Sequence, residues 1–179
     1  MLTRVETERL IMRRWREEDR EPFAAMNADP EVMEHFPAPL TREQSDAMID
    51  RIERAFDEQG YGLWALEEKA TGRFIGFTGL VWQRFEAPFT PALEVGWRLA
   101  RHAWGRGYAT EAGRRAIEEG FARTEVDEIV SITAVGNVRS RAVMERLGLT
   151  RDPADDFDHP LIPEGHPLRP HVLYRIRRP

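Results

Sequence analysis

Two glycines stand two positions apart in the middle of the chain, directly before a stretch with helical periodicity. Gly105 and Gly107 lie between an alternating run that ends at Leu99 and a helix predicted to start at Tyr108. Glycine lets a backbone turn sharply and bring its N–H groups close to a ligand. The first amides of a helix have no partner within the helix and lie at the positive end of its dipole, which favours a phosphate group. These features predict a phosphate-binding loop, to which Arg106 could add a direct positive charge.

Two better-known phosphate-binding motifs are missing from this loop. The chain has no G-x-x-x-x-G-K-[ST] sequence, and G-x-G-x-x-G would need a third glycine where Thr110 stands. A plain turn that uses two glycines is therefore the alternative interpretation. The context favours a binding loop, because the helix behind it carries small residues on one face and could lie very close to a sheet. These small residues are Ala109, Ala112, Gly113, Ala116 and Gly120.

Capping residues and apolar periodicity predict the elements that must position the loop. Thr41 and Gln44 form a capping-box pattern before a helix for which Gly60 is a natural end. Between Leu93 and Leu99, apolar residues alternate with other residues, which indicates a strand. The predicted strands cover residues 10–15, 61–67, 73–82, 93–99, 128–134 and 171–177, and the predicted helical segments start near Glu17, Pro30, Thr41, Tyr108 and Asn137. This order predicts an α/β fold with a mixed sheet and helices on both faces.

The composition limits the classes of protein to consider. The 179 residues are 41% hydrophobic and 32% charged, which fits a single domain over residues 1–179 with a substantial core. There is no cysteine, so disulfides, thiolate metal sites and a cysteine nucleophile are excluded. A net charge of -5 argues against a broad nucleic-acid surface. We find no signal peptide or membrane-spanning run and expect a cytoplasmic protein.

A metal site is not expected either. The histidines at 102, 159, 166 and 171, and the stretch Asp156-Phe157-Asp158-His159, have spacings that fit no metal-binding pattern. Carboxylates and histidines in a loop rich in proline are more often solvated or structural.

The glycine loop and a later segment resemble the GNAT superfamily of acyl-CoA-dependent N-acyltransferases. Trp104-Gly105-Arg106-Gly107-Tyr108-Ala109 is similar to the pyrophosphate motif Q/R-x-x-G-x-G/A of that family, with Trp104 in place of Gln or Arg. Asn137-x-x-Ser140, followed by Leu147-Gly148-Leu149, is similar to its second cofactor segment, with Leu149 in place of Phe. The segment from Thr7 to Arg13 resembles the opening strand of the branch that acetylates ribosomal-protein N-termini. The resemblance covers nearly the whole chain.

This resemblance implies a GNAT-like mixed, mostly antiparallel sheet with helices on both faces, and acetyl-CoA as co-substrate. It implies that backbone amides of the strand before the loop pair with the pantetheine arm like an added strand. It also implies that Asn137 reaches that arm; a simple N-cap is the alternative, and both can hold. The cofactor-binding residues implied in this way are Val95, Trp97, Trp104, Gly105, Arg106, Gly107, Tyr108, Ala109, Thr110 and Asn137.

The resemblance also selects candidates for acid–base catalysis. Glu94 lies on the polar face of the strand where the family places the thioester, so it is our candidate for the base, with a pKa raised by partial burial. The alternative is an ion pair with Arg98, its neighbour on the same face. Many family members use a tyrosine as acid where this chain has Met144, so Ser140 is our candidate for the acid. The alternative is a first-turn serine that satisfies backbone N–H groups.

The leading hypothesis is an N-acetyltransferase that moves an acetyl group directly to an amine without a covalent enzyme intermediate. The acceptor is a protein N-terminus or a small-molecule amine, and the acidic chain suits a basic acceptor. Trp82 and Phe85 are candidates to line its pocket. A non-catalytic acyl-CoA-binding or interaction module on the same fold is the alternative. A nucleotide-binding module is disfavoured by the missing phosphate-loop lysine, and a homodimer is the prior for oligomeric state.

Overall fold

The computed structural model describes residues 3–179, which form one continuous sheet covered by helices. The strands of this part of the chain are β1 (Val5–Glu6), β2 (Leu10–Arg13), β3 (Leu63–Glu68), β4 (Phe74–Gln83), β5 (Ala92–Leu99), β6 (Glu128–Ala134), β7 (Thr150–Arg151), β8 (Phe157–Asp158) and β9 (Pro170–Arg177). The helices are α1 (Arg20–Ala28), α2 (Arg42–Gln59), α3 (Tyr108–Arg123) and α4 (Val138–Arg146). None of the described helices is both long and apolar enough to span a membrane.

The sheet is mixed and mostly antiparallel, as predicted. Its strand order is β1-β2-β3-β4-β5-β6-β9-β7, with β8 also paired to β9. Neighbouring strands run antiparallel except β5 and β6, which are parallel. A parallel pair needs a crossover connection, and α3 provides it between these two strands. At the centre of the sheet, therefore, two neighbouring strands end at the same edge and each leads into a helix.

Helices cover both faces of the sheet. Phe23 of α1 packs against Phe77 of β4, with ring centroids 6.0 Å apart. On α3, a Cβ built on Gly120 would lie 3.2 Å from Leu80 of β4 and 2.7 Å from Ile129 of β6. Successive side chains along a strand alternate between faces, so Phe77 and Leu80 lie on opposite sides of the sheet. Helix α1 therefore packs on one face and α3 on the other.

Small residues let α3 approach its neighbours closely, as the sequence predicts. The contacts at Gly120 leave no room for a methyl group without a shift of Ile129. A Cβ on Gly113 would likewise lie 2.9 Å from Leu147 at the end of α4. Ala112 and Ala116 are fully buried on the same helix. The position of α3, and with it the loop at its N-terminus, is fixed by this close packing.

The predicted helix starts and ends agree with the structure except at Pro30. Thr41 and Gln44 form the expected capping box of α2, and Gly60 ends that helix with a φ of 79°. Pro30, however, opens a series of turns and not a helix. Helix formation needs several consecutive hydrogen bonds to offset the cost of the first turn. Only a short stretch separates Pro30 from Pro37, which has no N–H to continue a helix.

Candidate active site

The parallel strands β5 and β6 separate almost as soon as they pair. Their paired position among the described residues is Glu94 with Val130. One residue further along, the Ser131 hydroxyl donates to the Val95 carbonyl at 2.8 Å, so a side chain replaces the next backbone bond of the ladder. The strands then lead to α3 and α4 at the same edge of the sheet. Across this edge, the Arg139 guanidinium of α4 lies 4.3 Å from the ring centre of Trp104. We refer to the space between the diverging ends of β5 and β6 as the cleft.

Alternate residues of β5 direct their backbone N–H and C=O groups to opposite sides, one set toward β4 and the other toward β6 and the cleft. The Ala100 amide donates to the Ile75 carbonyl at 2.9 Å, which fixes the alternation of the antiparallel ladder between β4 and β5. Every second residue of a strand directs its backbone groups to the same neighbour. Arg98 and Gly96 therefore face β4, whereas the backbone of Trp97 faces the cleft. A ligand that binds like an added strand needs backbone groups that face the cleft, and Trp97 provides them. The Val95 carbonyl, by contrast, already accepts a hydrogen bond from Ser131.

The loop between β5 and α3 turns at two glycines with positive φ. Gly105 has a φ of 73° and Gly107 a φ of 79°, a region that L side chains rarely adopt. Gly107 is the N-cap of α3, and none of the described side chains provides a cap hydrogen bond there. Oγ1 of Thr110 is shielded from solvent and has no hydrogen-bond partner among residues 3–179. Free first-turn amides and an orphaned hydroxyl are the donors that a phosphate group would use, so these residues fit a diphosphate.

The side chains of the loop serve mainly to hold its shape. Trp104 donates its indole N–H to the Leu99 carbonyl at 2.8 Å and ties the loop to the end of β5. Arg106 is more than half exposed and pairs with Glu68 at 3.2 Å. The Tyr108 hydroxyl also donates to Glu68, and its ring is buried. Of these three predicted cofactor residues, Arg106 is exposed, Trp104 is half-buried and Tyr108 is buried.

Residues of the turn between β1 and β2 hold the loop from outside, and sequence reasoning missed this contact. Arg9 donates to the Arg106 carbonyl at 2.8 Å and pairs with Glu111 of α3 at 2.7 Å. Its guanidinium also lies 4.4 Å from the ring centre of Tyr108. The second oxygen of Glu111 accepts from Thr7 and from the Arg9 amide. The signal was present in part, since Thr7 and Arg9 lie in the segment that resembles the opening strand of the family branch.

Glu94 is buried beside the cleft, with 8% of the residue exposed. Its carboxylate accepts a short hydrogen bond from the Gln83 side chain across the β4–β5 ladder. Burial raises the pKa of Glu94 to about 7, although the donors from Gln83 and the Ile132 backbone counter part of that rise. The alternative ion pair with Arg98 does not form: Arg98 donates instead to Asn27 of α1 at 2.6 Å. Gln83 could not be found from sequence, because the long connection between β4 and β5 leaves their register open.

Asn137 and Ser140 lie at the start of α4, on the other side of the cleft. The Asn137 side chain accepts from the Ser140 amide at 3.2 Å and donates to Thr133 at 3.0 Å, so the predicted N-cap is present. The Ser140 hydroxyl is half-buried and forms no hydrogen bond within the described part of the chain. A third hydroxyl, that of Tyr174 on β9, is already bonded on both sides: it donates to Glu145 and accepts from Arg141.

The remaining candidates occupy two separate places. Trp82 donates its indole N–H to the Tyr61 hydroxyl at 2.9 Å. Phe85 belongs to an aromatic cluster with Phe157 and His159, whose ring lies 4.5 Å from that of Phe85. Among the residues that the structure describes, no group of three or more histidine, aspartate or glutamate side chains is placed to hold a metal ion.

Comparison with known proteins places this geometry among acetyltransferases. Residues 9–150 match the family model described as the acetyltransferase (GNAT) domain. The chain is 32% identical over 150 residues to the uncharacterized protein YkkB of Bacillus subtilis, covering 82% of this chain and 85% of that one. It is 31% identical over 144 residues to the FsC-acetyl coenzyme A-N(2)-transacetylase of Aspergillus fumigatus, covering 74% of this chain and 59% of that one.

A solved structure agrees with these sequence relatives. The acetyltransferase from Agrobacterium tumefaciens has a TM-score of 0.79 and 26% identity to this chain, and the match covers 99% of this chain and 96% of that one.

Proposed function

Since the chain belongs to the acetyltransferase (GNAT) family, whose members use acetyl-CoA, we propose that it transfers the acetyl group directly to a primary amine, with Glu94 as the base. The observation that carries this proposal is a buried carboxylate with a pKa near neutrality beside the cleft between β5 and β6. We also propose that residues 1–179 work as a single domain, which the continuous sheet supports.

Acetyl-CoA supplies an activated acetyl group when bound. In this proposal the amides of Tyr108, Ala109 and Thr110 and the orphaned Thr110 hydroxyl would hold its diphosphate. The cleft-facing backbone of Trp97 on β5 would hold the pantetheine arm. Gly105 and Gly107 determine the shape of the loop, because their positive φ values let it bring its amides to one side.

Glu94 takes the proton from the acceptor amine, directly or through one water molecule. A base is most useful when its pKa lies near the working pH, and at neutral pH about half of a group with a pKa of about 7 is ionised. The hydrogen bond from Gln83 fixes the carboxylate on the face of β5 that also carries Gly96. Gln83 binds Oε2, and Oε1, the carboxylate oxygen nearest Gly96, is the one proposed to accept the proton.

Ser140 is the proposed acid that protonates the leaving thiolate. Its hydroxyl is half-buried at the first turn of α4 and is not used by the helix cap, which engages the Ser140 amide only. Tyr174 is a poorer acid in this position, because its hydroxyl proton is already donated to Glu145. The positive end of α4 would also favour the negative charge that develops on sulfur.

The relatives support an amine as acceptor. The Aspergillus fumigatus relative is an N(2)-transacetylase by name, so a member at 31% identity acetylates a nitrogen. A protein N-terminus and a small-molecule amine both present the primary amine that the proposed chemistry needs.

The experiment has two steps, and each can contradict the proposal separately. In a thermal-shift titration with acetyl-CoA, CoA and ATP, a ligand at a hundred times its dissociation constant adds about 2.7 kcal/mol of stability. A larger shift with ATP than with acetyl-CoA would overturn the cofactor assignment. Turnover is then measured on a panel of amines with wild type, Glu94→Gln and the exposed control Glu125→Gln. Stabilisation by acetyl-CoA without turnover of any amine would instead favour a non-catalytic binding module.

A further inference from the structure

Glu94 and Arg98 lie on the same face of β5 with only a glycine between them. Residues two apart along a strand share a face, so Glu94, Gly96 and Arg98 form one row. A Cβ built on Gly96 would meet a single atom within 4 Å, the Glu94 carboxylate at 3.8 Å. The floor between the carboxylate and the guanidinium is therefore bare backbone. A strand rises about 3.3 Å per residue, which puts the two Cα atoms about 13 Å apart.

The Arg98 guanidinium is held in a fixed orientation. Its Nη1 donates to Asn27 at 2.6 Å, and the Asn27 side chain in turn donates to Ser45 at 3.0 Å. Asn27 and Ser45 are fully buried between α1 and α2. The guanidinium carbon lies 4.5 Å from the ring centre of Phe36 and 5.3 Å from that of Phe77. One hydrogen bond and two aromatic rings thus fix the side chain without neutralising its charge.

This charge has no counter-ion in the described part of the chain. Nε of Arg98 is shielded from solvent and has no hydrogen-bond partner, and no described carboxylate pairs with the guanidinium. Arg13 shows the usual solution for a buried arginine, since Asp19 and Glu67 both bind it at 2.8 Å or less. Burial lowers the pKa of Arg98 to about 10, consistent with a cation that lacks such compensation.

The unpaired groups form one edge of the guanidinium. Asn27 occupies Nη1, which leaves the edge formed by Nε and Nη2 without a partner among residues 3–179. Two parallel N–H groups on one edge match the two oxygens of a carboxylate. A carboxylate would satisfy the orphaned Nε and compensate the charge at the same time.

We propose that Arg98 binds a carboxylate of the acceptor, so that the substrate is an amine that also carries an acidic group. The amine lies at Glu94 and the carboxylate at Arg98, with the connecting atoms over Gly96. This inference rests on the proposed transfer to an amine and on Glu94 as its base. A free amino acid and a peptide with an acidic residue near its N-terminus both supply this chemistry.

The test compares each acidic amine with its uncharged amide. The first arm uses glycine, 4-aminobutyrate, 6-aminohexanoate and glycylglycine against the corresponding amides, and the second uses N-terminal peptides with Glu or Gln at position two. We expect kcat/KM to favour the carboxylate by roughly 10- to 100-fold, the contribution typical of a charge-assisted hydrogen-bonded pair. The arm with the larger ratio identifies the source of the carboxylate.

Two variants assign that preference to Arg98. Arg98→Met keeps an unbranched side chain but removes the guanidinium and its charge, and Asn27→Asp keeps the shape of the network while it gives the guanidinium a carboxylate partner. In both variants kcat/KM for the acidic amine should become close to that for its amide, because KM for the acidic amine rises. KM for acetyl-CoA should be unchanged. The exposed Arg51→Gln removes the same charge from α2 and should keep the wild-type ratio. If Arg98→Met does not fold, the wild-type ratio and Asn27→Asp decide.

The outcomes separate this inference from the proposed function. A wild-type ratio near one, or an equal loss of activity on both members of each pair in a folded Arg98→Met protein, would refute the carboxylate site. A rise in KM for acetyl-CoA alone would assign Arg98 to the cofactor and also refute it. If no amine is acetylated, calorimetry can still measure the binding of 4-aminobutyrate in the presence of CoA. Binding to wild type that is roughly 10- to 100-fold tighter than to Arg98→Met supports the carboxylate site, and equal binding refutes it.

Discussion

Replacing Glu94 by glutamine should make the protein more stable at neutral pH and nearly inactive. Glutamine has the shape of the carboxylate and can still accept the hydrogen bond from Gln83, so the substitution removes charge without opening a cavity. The buried carboxylate has a pKa of about 7, whereas the ordinary value is 4.5. Between these pH values the folded protein holds a proton that the unfolded chain releases. Wild-type stability is therefore lost as the pH rises through this window.

The size of the effect follows from the pKa difference. Each pKa unit corresponds to 1.36 kcal/mol, so a rise from 4.5 to about 7 amounts to about 3 kcal/mol, fully developed above pH 7. Glu94→Gln removes this penalty, and its advantage over wild type should grow from below about 1 kcal/mol at pH 5 to about 3 kcal/mol at pH 8. Activity should change in the opposite direction. Loss of a general base lowers kcat by about 10²- to 10⁴-fold.

The assay is urea denaturation of wild type and variant at several pH values from 5 to 8. The contributions of the other titrating groups cancel in the difference between the unfolding free energies of variant and wild type. For the exposed, charge-matched control Glu125→Gln, the difference from wild type should not grow with pH. In parallel, wild-type kcat/KM should rise with pH and level off above about pH 7 as Glu94 ionises. A stability difference that stays constant from pH 5 to 8 would show that Glu94 does not carry the proposed proton, and the base assignment would fail with it.

Three substitutions test the loop before α3 and the first turn of that helix. Gly107→Ala forces a side chain into a φ of 79° with its Cβ 3.5 Å from Arg9, and should cost about 1–2 kcal/mol in urea denaturation and weaken acetyl-CoA binding; wild-type values for both would contradict the strained-loop argument. Trp104→Phe loses the hydrogen bond to Leu99 and should lower the free energy of unfolding by about 1 kcal/mol, which unchanged thermal unfolding would disprove. Thr110→Val removes the orphaned hydroxyl, so the free energy of unfolding should stay the same or rise. Calorimetry should show acetyl-CoA binding weakened by roughly fivefold, about 1 kcal/mol. An affinity equal to that of wild type would show that Thr110 does not bind the cofactor.

Much of the fold could be predicted because its signals are local. The capping box at Thr41, the glycine stop at Gly60 and the alternation along β5 each depend on residues a few positions apart. The strand at 128–134 was predicted with its observed bounds. Pro30 misled the prediction, since a residue that favours a first helical turn does not supply the hydrogen bonds that must follow it.

The candidate site divides in the same way. The loop around Gly105 and Gly107 could be located from sequence, because its conformation depends on the φ values of the glycines themselves. The partners of the charged residues could not. Glu94 and Arg98 share a face and invite an ion pair, but Glu94 binds Gln83 and Arg98 binds Asn27, 71 positions away in the chain.

By itself, the sequence determined the order of the elements, the glycine loop at the start of α3 and the small residues that let this helix lie close to the sheet. These properties arise from the backbone preferences and sizes of neighbouring residues. Only the tertiary structure decided that β5 and β6 part after Glu94 and that Arg98 is left without a counter-ion. Such facts depend on which distant segments come together, and the pKa of Glu94 depends on how completely those segments exclude water.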